Sequence, residues 1–360
     1  MEKYLFTMHD RELMNLSKNE KLVLWGLVAH PDLNDMELAE NLEMRYSTLC
    51  TIRKRLRDED YYRTIKIPVL QRLGTEMLSV IYTVFNPAIS VQERAKMTTR
   101  TIEISEELFY SVGETHKGFS LSMANGYQDL SKINDIRIET FAKAGLLDQK
   151  HPTEVIFPFG ISNIPRFFDF APVLARALGI ERENPVSGFT SEMSNLELSN
   201  VEKKVLLALV EKPDMNEKDL AAEMGLSRYT FSRARKQLDS KGLIIKKRIP
   251  NLQKLGFKVL AISHIMFNLK KPFDSKLLSM GVLQNPGTIM LAARKFECIS
   301  LSVYMEYEDY REEHTRDIQY LKENDYLLDM PNTAKYMIPS MLVMKDMIFG
   351  PMVKKTLRLD

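Results

Sequence analysis

Leu16 to Gly74 aligns with Leu198 to Gly256 without a gap, at a constant offset of 182 residues. The run LSKNEKLVLWGLVAHPDLNDMELAENLEM in the first stretch returns as LSNVEKKVLLALVEKPDMNEKDLAAEMGL in the second. Thr48, Arg53, Lys54, Leu56, Ile67, Pro68, Leu70, Gln71, Leu73 and Gly74 recur unchanged. A match of that length marks an internal duplication, so the 360-residue chain must follow a plan that can be used twice.

The second copy shows the plan more clearly. Ser199 followed by Glu202 is a capping box, Pro213 stops the first helix, and Asn216 with Asp219 brings acceptors to the start of a second. Gly225 ends that helix, and Ser227 caps a third whose apolar stripe is Phe231, Ala234 and Leu238. The basic segment after Gly242 reads as a hairpin. Three short helices and a basic hairpin predict a winged helix-turn-helix, and the first copy repeats it.

This stretch resembles the DNA-binding domain of the Lrp/AsnC (leucine-responsive regulatory protein) family. The resemblance is carried by L-x-x-x-E-x-x-x-L-x-x-L from Leu198, by D-L-A-x-x-M-G-L-S before the third helix, and by L-D-x-K-G-L-I running on to the Leu-Gly pair at Gly256. It implies a transcription regulator that binds double-stranded DNA. It also implies a sheet domain that associates with a partner sheet, and a small-molecule effector, an amino acid, at that sheet-domain interface. A homodimer of the whole chain is a further expectation. The turns that correspond to the effector site are Gly113 to Phe119 and Ala293 to Cys298; they depart from the family's glycine-then-aspartate pattern and differ from each other.

After each winged helix the periodicity becomes that of strands, with MLSVIYTVFN from Met77 and KVLAISHIMFN from Lys258, each followed by a polar helical segment. Two strands follow in each copy, LFYSVGE and GFSLSMAN in the first, TIMLAARK and CISLSVYME in the second. Then come a helix, Leu130 to Ala144 and Arg311 to Glu323, and a last strand near Val155 and Tyr336. The order βαββαβ predicts a four-stranded antiparallel sheet with both helices on one face, a ferredoxin-like domain, which the resemblance also implies. Related amphipathic tails, FAPVLARALGI from Phe170 and FGPMVKKTLRL from Phe349, end both copies. The expected fold class is α+β, two tandem copies of a winged helix-turn-helix followed by a ferredoxin-like βαββαβ domain. The modules are residues 1–75, 76–180, 196–256 and 257–360, with 181–195 as an exposed linker rich in Pro, Gly, Ser and charge.

Charge is unevenly spread. Of the net +2, residues 45–68 carry +4 and residues 226–250 carry +7, which leaves −9 on the rest. Two short basic segments on an acidic body suit local contact with a polyanion. In the first copy the candidate DNA-binding residues are Arg45, Tyr46, Ser47, Thr48, Thr51, Lys54 and Arg55 on the third helix, with Arg63 and Lys66 in the wing. In the second they are Ser227, Arg228, Tyr229, Thr230, Ser232, Arg233 and Lys236, with Lys246, Lys247 and Arg248 in the wing. The helices would read base edges in the major groove and the wings would track phosphate. Arg53 and Arg235 lie beside the core stripe, in reach of either packing or phosphate.

No catalytic, cofactor or metal site is expected. His9, His30, His116, His151, His264 and His314 are scattered without a metal spacing, Cys50 and Cys298 make no cluster, and there is no Gly-rich phosphate loop or nucleophile elbow. Two cysteines, an N-terminal start charged from Glu2 and no apolar run of membrane-span length suggest a cytoplasmic chain. The sequence therefore predicts a sequence-specific regulator, not an enzyme, acting as a single-chain pseudo-dimer on an imperfect palindrome. The alternatives are an enzyme similar to siroheme decarboxylases, which share this architecture, and a non-specific architectural DNA-binding protein.

Overall fold

The computed structural model describes residues 16–147, 151–185, 189–190, 192–274, 277 and 285–359. The chain forms two compact units, each assembled from segments far apart in sequence.

The first unit comprises Met1–Thr64, Asn163–Phe189 and Lys246–Pro339. Its head holds helices α1 (Lys18–Ala29), α2 (Asp35–Asn41) and α3 (Tyr46–Asp58). Capping boxes start two of them. Ser17 with Glu20 opens α1, and Asn34 with Glu37 opens α2, so the first amide donors of each helix meet side-chain oxygens. The sheet of this unit has the order β11 (Asn332–Met337), β8 (Val259–Met266), β10 (Glu297–Tyr304), β9 (Thr288–Arg294) and β6 (Asn163–Arg166). All neighbours are antiparallel. Helix α10 (Tyr307–Glu323) packs against β10, and Ile265, Phe267, Leu291, Cys298 and Leu321 form the core between them. The helical segment expected after β8 lies outside the described residues, apart from Leu277.

The second unit comprises Ile65–Ser162, Thr190–Ile245 and Ser340–Asp360. Its head holds α7 (Asn200–Glu211), α8 (Glu217–Glu223) and α9 (Arg228–Ser240). Its sheet runs β12 (Leu342–Asp346), β3 (Leu108–Glu114), β4 (Lys117–Ala124), β2 (Met77–Val84) and β5 (Thr153–Pro158). Helices α4 (Val91–Ile104) and α5 (Tyr127–Lys143) complete the ferredoxin-like pattern. Each sheet therefore has five strands where the sequence predicts four. The additional strand, β6 or β12, is antiparallel to an edge that would otherwise expose unpaired amides and carbonyls.

The amphipathic tails follow those added strands. Helix α6 (Ala171–Leu178) packs on α1, and its Arg176 pairs with Glu313 of α10. Helix α11 (Gly350–Leu357) packs on α7, where Lys354 meets Glu211 at 3.0 Å, while Phe349 stacks on Phe109 at 4.8 Å. Within each unit a single helix thus ties head to sheet. The stretch expected as an exposed linker is, in its described residues, held down. Asn184 accepts from the Trp25 indole at 3.1 Å and Phe189 packs on Phe167 in the first unit, while the Ser194 amide donates to the Gln71 carbonyl at 3.2 Å in the second. Among the described residues no helix is long and apolar enough to cross a membrane.

The heads share one electrostatic brace. Glu20 and Glu202 are buried capping residues that also reach a second helical element, Glu20 pairing with Arg55 of α3 and Glu202 with Lys241 at 2.6 Å. Burial works against ionisation of both. Hydrogen bonds from Ser17 or Ser199 and the adjacent cation outweigh it and hold both carboxyls below the usual range. Stabilisation of this sign is complete above the unfolded carboxyl value of about 4.3 and is lost as pH falls through the lower folded value. Acid denaturation curves should accordingly lose part of their low-pH limb in Glu20→Gln and Glu202→Gln. Ser17→Ala and Ser199→Ala should each cost about 1 kcal/mol in chemical denaturation.

Candidate nucleic-acid interface

Each third helix is positioned by a small apolar stripe and a tight turn before it. In the second unit Phe231, Ala234 and Leu238 are buried, as the spacing predicts. In the first, Leu49 and Leu56 take the same role. The turn into the helix requires a left-handed residue. Gly225 supplies it at φ 64°, whereas Glu43, at the matching place in the first unit, adopts φ 56° against the preference of a side chain. Ser227 caps α9 by accepting from the Thr230 amide at 3.1 Å, and its hydroxyl is 2.8 Å from that of Thr230. Arg45 occupies the equivalent place before α3 and makes no side-chain cap.

The packing sorts the expected DNA-binding residues into three groups. On α9, Arg228, Tyr229, Arg233 and Lys236 are exposed, with Tyr229 at 75% of its full accessibility, and Thr230 and Ser232 are half-buried. The cations Arg228, Arg233 and Lys236 have no ion-pair partner among the described residues. Tyr229, Ser232, Arg233, Lys236, Gln237 and Ser240 line one shallow concavity along the helix. Gln237 and Ser240 were not anticipated, although their spacing of four and seven from Arg233 places them on its face. On α3, Arg45, Tyr46, Ser47, Thr51 and Lys54 are exposed and Thr48 is half-buried. The Thr51 hydroxyl donates to the Ser47 carbonyl at 3.0 Å.

A second group is committed to the protein. Arg55 pairs with Glu20 and, at 2.8 Å, with Glu59. Arg53 and Arg235 prove to be equivalent braces, Arg53 to Asp35 of α2 and Arg235 to Glu217 of α8. Each locks a third helix against the first turn of the second, where an acidic residue also complements the helix dipole.

The third group is the wing, and here the expectation needs correction. Strands β1 (Tyr62–Pro68) and β7 (Ile244–Pro250) do not fold back as two separate hairpins; they pair with each other in a two-stranded sheet. In the first unit the Asn251 amide donates to the Tyr61 carbonyl at 2.9 Å, and in the second the Val69 amide donates to the Leu243 carbonyl at 2.9 Å. Lys247 and Arg248, adjacent in β7 and so on opposite faces of the strand, are only 9% and 6% exposed, and Arg248 donates to the Leu27 carbonyl at 2.8 Å. Burial lowers the affinity of both for their protons. Arg63, Lys66 and Lys246 are half-buried, and burial lowers the Lys66 ammonium as well. Lys247 and Arg248 are thus buried where the sequence predicts exposed phosphate contacts.

The turns expected to hold an effector are each bridged across by an acid and a base, Glu114 with Lys117 at 3.0 Å and Arg294 with Glu297. Among the described residues no group of three His, Cys, Asp or Glu side chains could hold a metal ion.

Residues 193–260 match the family model described as the sugar-specific transcriptional regulator TrmB, which covers the second head and less than half of the chain. No curated protein matches in sequence. Among solved structures, the siroheme decarboxylase NirDL is similar over 94% of this chain and 99% of its own, with a TM-score of 0.51 and 11% identity. The same enzyme in co-complex with an iron-uroporphyrin III analogue gives 95%, 99%, 0.51 and 10%. AsnC of E. coli is similar over 39% of this chain and 92% of its own, with a TM-score of 0.32 and 15% identity. The likeness to NirDL is one of fold. It overturns the expectation that the chain is not an enzyme, because an enzyme carries this whole architecture and the missing catalytic spacing excludes nothing.

Arg248→Ala should lower the chemical denaturation midpoint by the equivalent of about 1–3 kcal/mol, since the Leu27 carbonyl loses its charged donor, while leaving the salt dependence of DNA binding unchanged. A flattened salt dependence would restore the wing to the interface.

Proposed function

We propose that the chain is a double-stranded DNA-binding transcription regulator whose reading elements are α9 and α3. One observation carries this reading. Arg228, Arg233 and Lys236 project from one exposed helix face beside Tyr229, with no carboxylate spent on them, on a helix held rigid by the Arg235 brace and the Ser227 cap. Free surface cations set around a fixed helix suit a polyanion, and Arg and Ser at such positions reach base edges in a major groove. The match of residues 193–260 to a transcriptional-regulator family supports the same head.

The two heads have diverged on the reading face. Arg45, Tyr46, Ser47 and Thr51 stand where the second head has Ser227, Arg228, Tyr229 and Arg233. We read this as one pseudo-dimeric chain recognising an imperfect palindrome, with α9 the anchoring helix. A second reading, an enzyme acting on a tetrapyrrole, is favoured by the full-length likeness to NirDL. A Soret band in the purified protein and decarboxylation of added siroheme would establish it.

Duplex binding should weaken with salt at a log-log slope of about −0.9 per phosphate neutralised. Arg228→Ala and Lys236→Ala should each make the slope shallower wherever they hold a phosphate. Arg233→Ala should cost about 1–3 kcal/mol and relax preference in one half-site only, whereas Thr51→Ala should cost less and affect the other half. Selection from randomised duplexes with each variant is the test. A symmetric consensus, or loss in both halves from either change, refutes the two-headed reading, and absence of salt-dependent binding refutes the DNA function.

A further inference from the structure

Between the sheet and the helices of the second unit lies a small cavity whose lining is cationic and hydroxylic. Arg94 and Thr98 come from α4, Ser111 and Ser120 from β3 and β4, Thr83 from β2 and Arg137 from α5. The remaining lining is apolar, and no carboxylate is among it. About 20 Å³ is open to the centre of a water-sized sphere, enough for one or two water-sized bodies.

Both guanidinium groups are buried, Arg94 at 1% and Arg137 at 7% exposure. Arg94 is fixed by donating to the carbonyls of Glu114 at 2.6 Å and Thr115 at 2.7 Å, and it lies 4.1 Å from the centre of the Phe85 ring. Arg137 donates from Nη2 to the Ser120 hydroxyl at 3.1 Å, which in turn is 3.1 Å from the Ser111 hydroxyl. Its Nε has no hydrogen-bond partner among the described residues. The carboxylate that acts on Arg137 electrostatically is Glu154 of β5, outside the cavity lining, where Asn134 and Ser79 hold it. Burial pushes the Arg137 guanidinium down to about 10, so it remains a cation at neutral pH.

A buried donor left unmatched is costly, and a buried guanidinium more so. We propose that this cavity binds a compact monoanion, a halide or the head of a small carboxylate, with Arg137 Nε and one hydroxyl of the Ser111–Ser120 pair as donors and Arg94 supplying a second positive charge. The first unit provides an internal contrast. Arg137 is the eleventh residue of α5, and the eleventh residue of α10 is Asp317. Asp317 accepts from the Asn285 amide at 2.9 Å and lines a cavity with Ser300, Ser302 and Tyr304. The same place in the same fold thus carries opposite charge, and the anion should select the second unit alone.

The test compares thermal unfolding of the full chain in sodium chloride, sodium bromide and sodium formate with sodium gluconate at equal ionic strength. Gluconate is too large for the cavity. The compact anions should raise Tm by about 3–5 °C at a tenfold excess over Kd, and Arg137→Met should lose that increment. Bromide soaked into crystals should give an anomalous peak within hydrogen-bonding reach of Arg137 Nε, which tests the site even where the variant folds poorly. Equal Tm in all four salts, an increment that survives in Arg137→Met, or a bromide peak elsewhere with none at Nε would overturn the proposal.

Discussion

The free edge of a β-sheet is the constraint on which this architecture depends. A ferredoxin-like sheet of four antiparallel strands leaves two outer strands with unpaired backbone groups, and here one of the two is closed by a short strand, β12 on β3 and β6 on β9. Closing the edge determines where the chain goes next. The residues after each added strand form an amphipathic helix that packs on a helix-turn-helix head and is paired with the sheet domain, through Arg176 and Glu313 in one unit and Lys355 with Glu107 in the other. Edge pairing, tail docking and head placement are successive consequences of satisfying one row of amides.

The heads obey a related economy of charge. Basic residues on the third helices divide into those spent on acidic partners within the fold and those left to the surface. Arg53, Arg55 and Arg235 are spent, and they fix helix to helix; Arg228, Arg233 and Lys236 are not. Counting cations along a helix therefore overstates an interface unless the acids one turn or one helix away are subtracted. Asp35, Glu20 and Glu217 perform that subtraction here, and they leave the second head with the clearer cationic face.

Much of this was legible in the sequence. Ser199, Glu202, Gly225 and Ser227 mark helix ends because capping is local chemistry, and the strands of both sheets are visible as runs of alternating or continuous apolar residues. The wing was misread for an equally physical reason. Antiparallel pairing leaves the same alternation whether the partner is the next segment or one about 180 residues away, so β1 and β7 look like halves of two hairpins. The burial of Lys247 and Arg248 is not legible because charge normally signals exposure, and no local pattern announces a carbonyl such as that of Leu27 waiting for a buried donor. Strands β6 and β12 are four and five residues long, β6 contains Pro165, and neither carries a period long enough to detect. The cavity lined by Arg94 and Arg137, too, draws on residues from four strands and two helices that only tertiary structure brings together.

The interleaving of segments has a consequence for biosynthesis. The three helices of the first head end at Asp58, but the strands of its unit's sheet run on to Met337. At roughly 5–20 residues per second, translation leaves this head without its sheet for on the order of 15–55 s. During that interval the α1 face that α6 later covers, and the edge strands still waiting for partners, are open to other chains. Three short helices with local contacts form quickly, so in the first unit it is the head helices that wait for the sheet. In the first unit the head helices are thus made ahead of all five strands of the sheet, whereas in the second β2 to β5 precede the head and only β12 and α11 follow it.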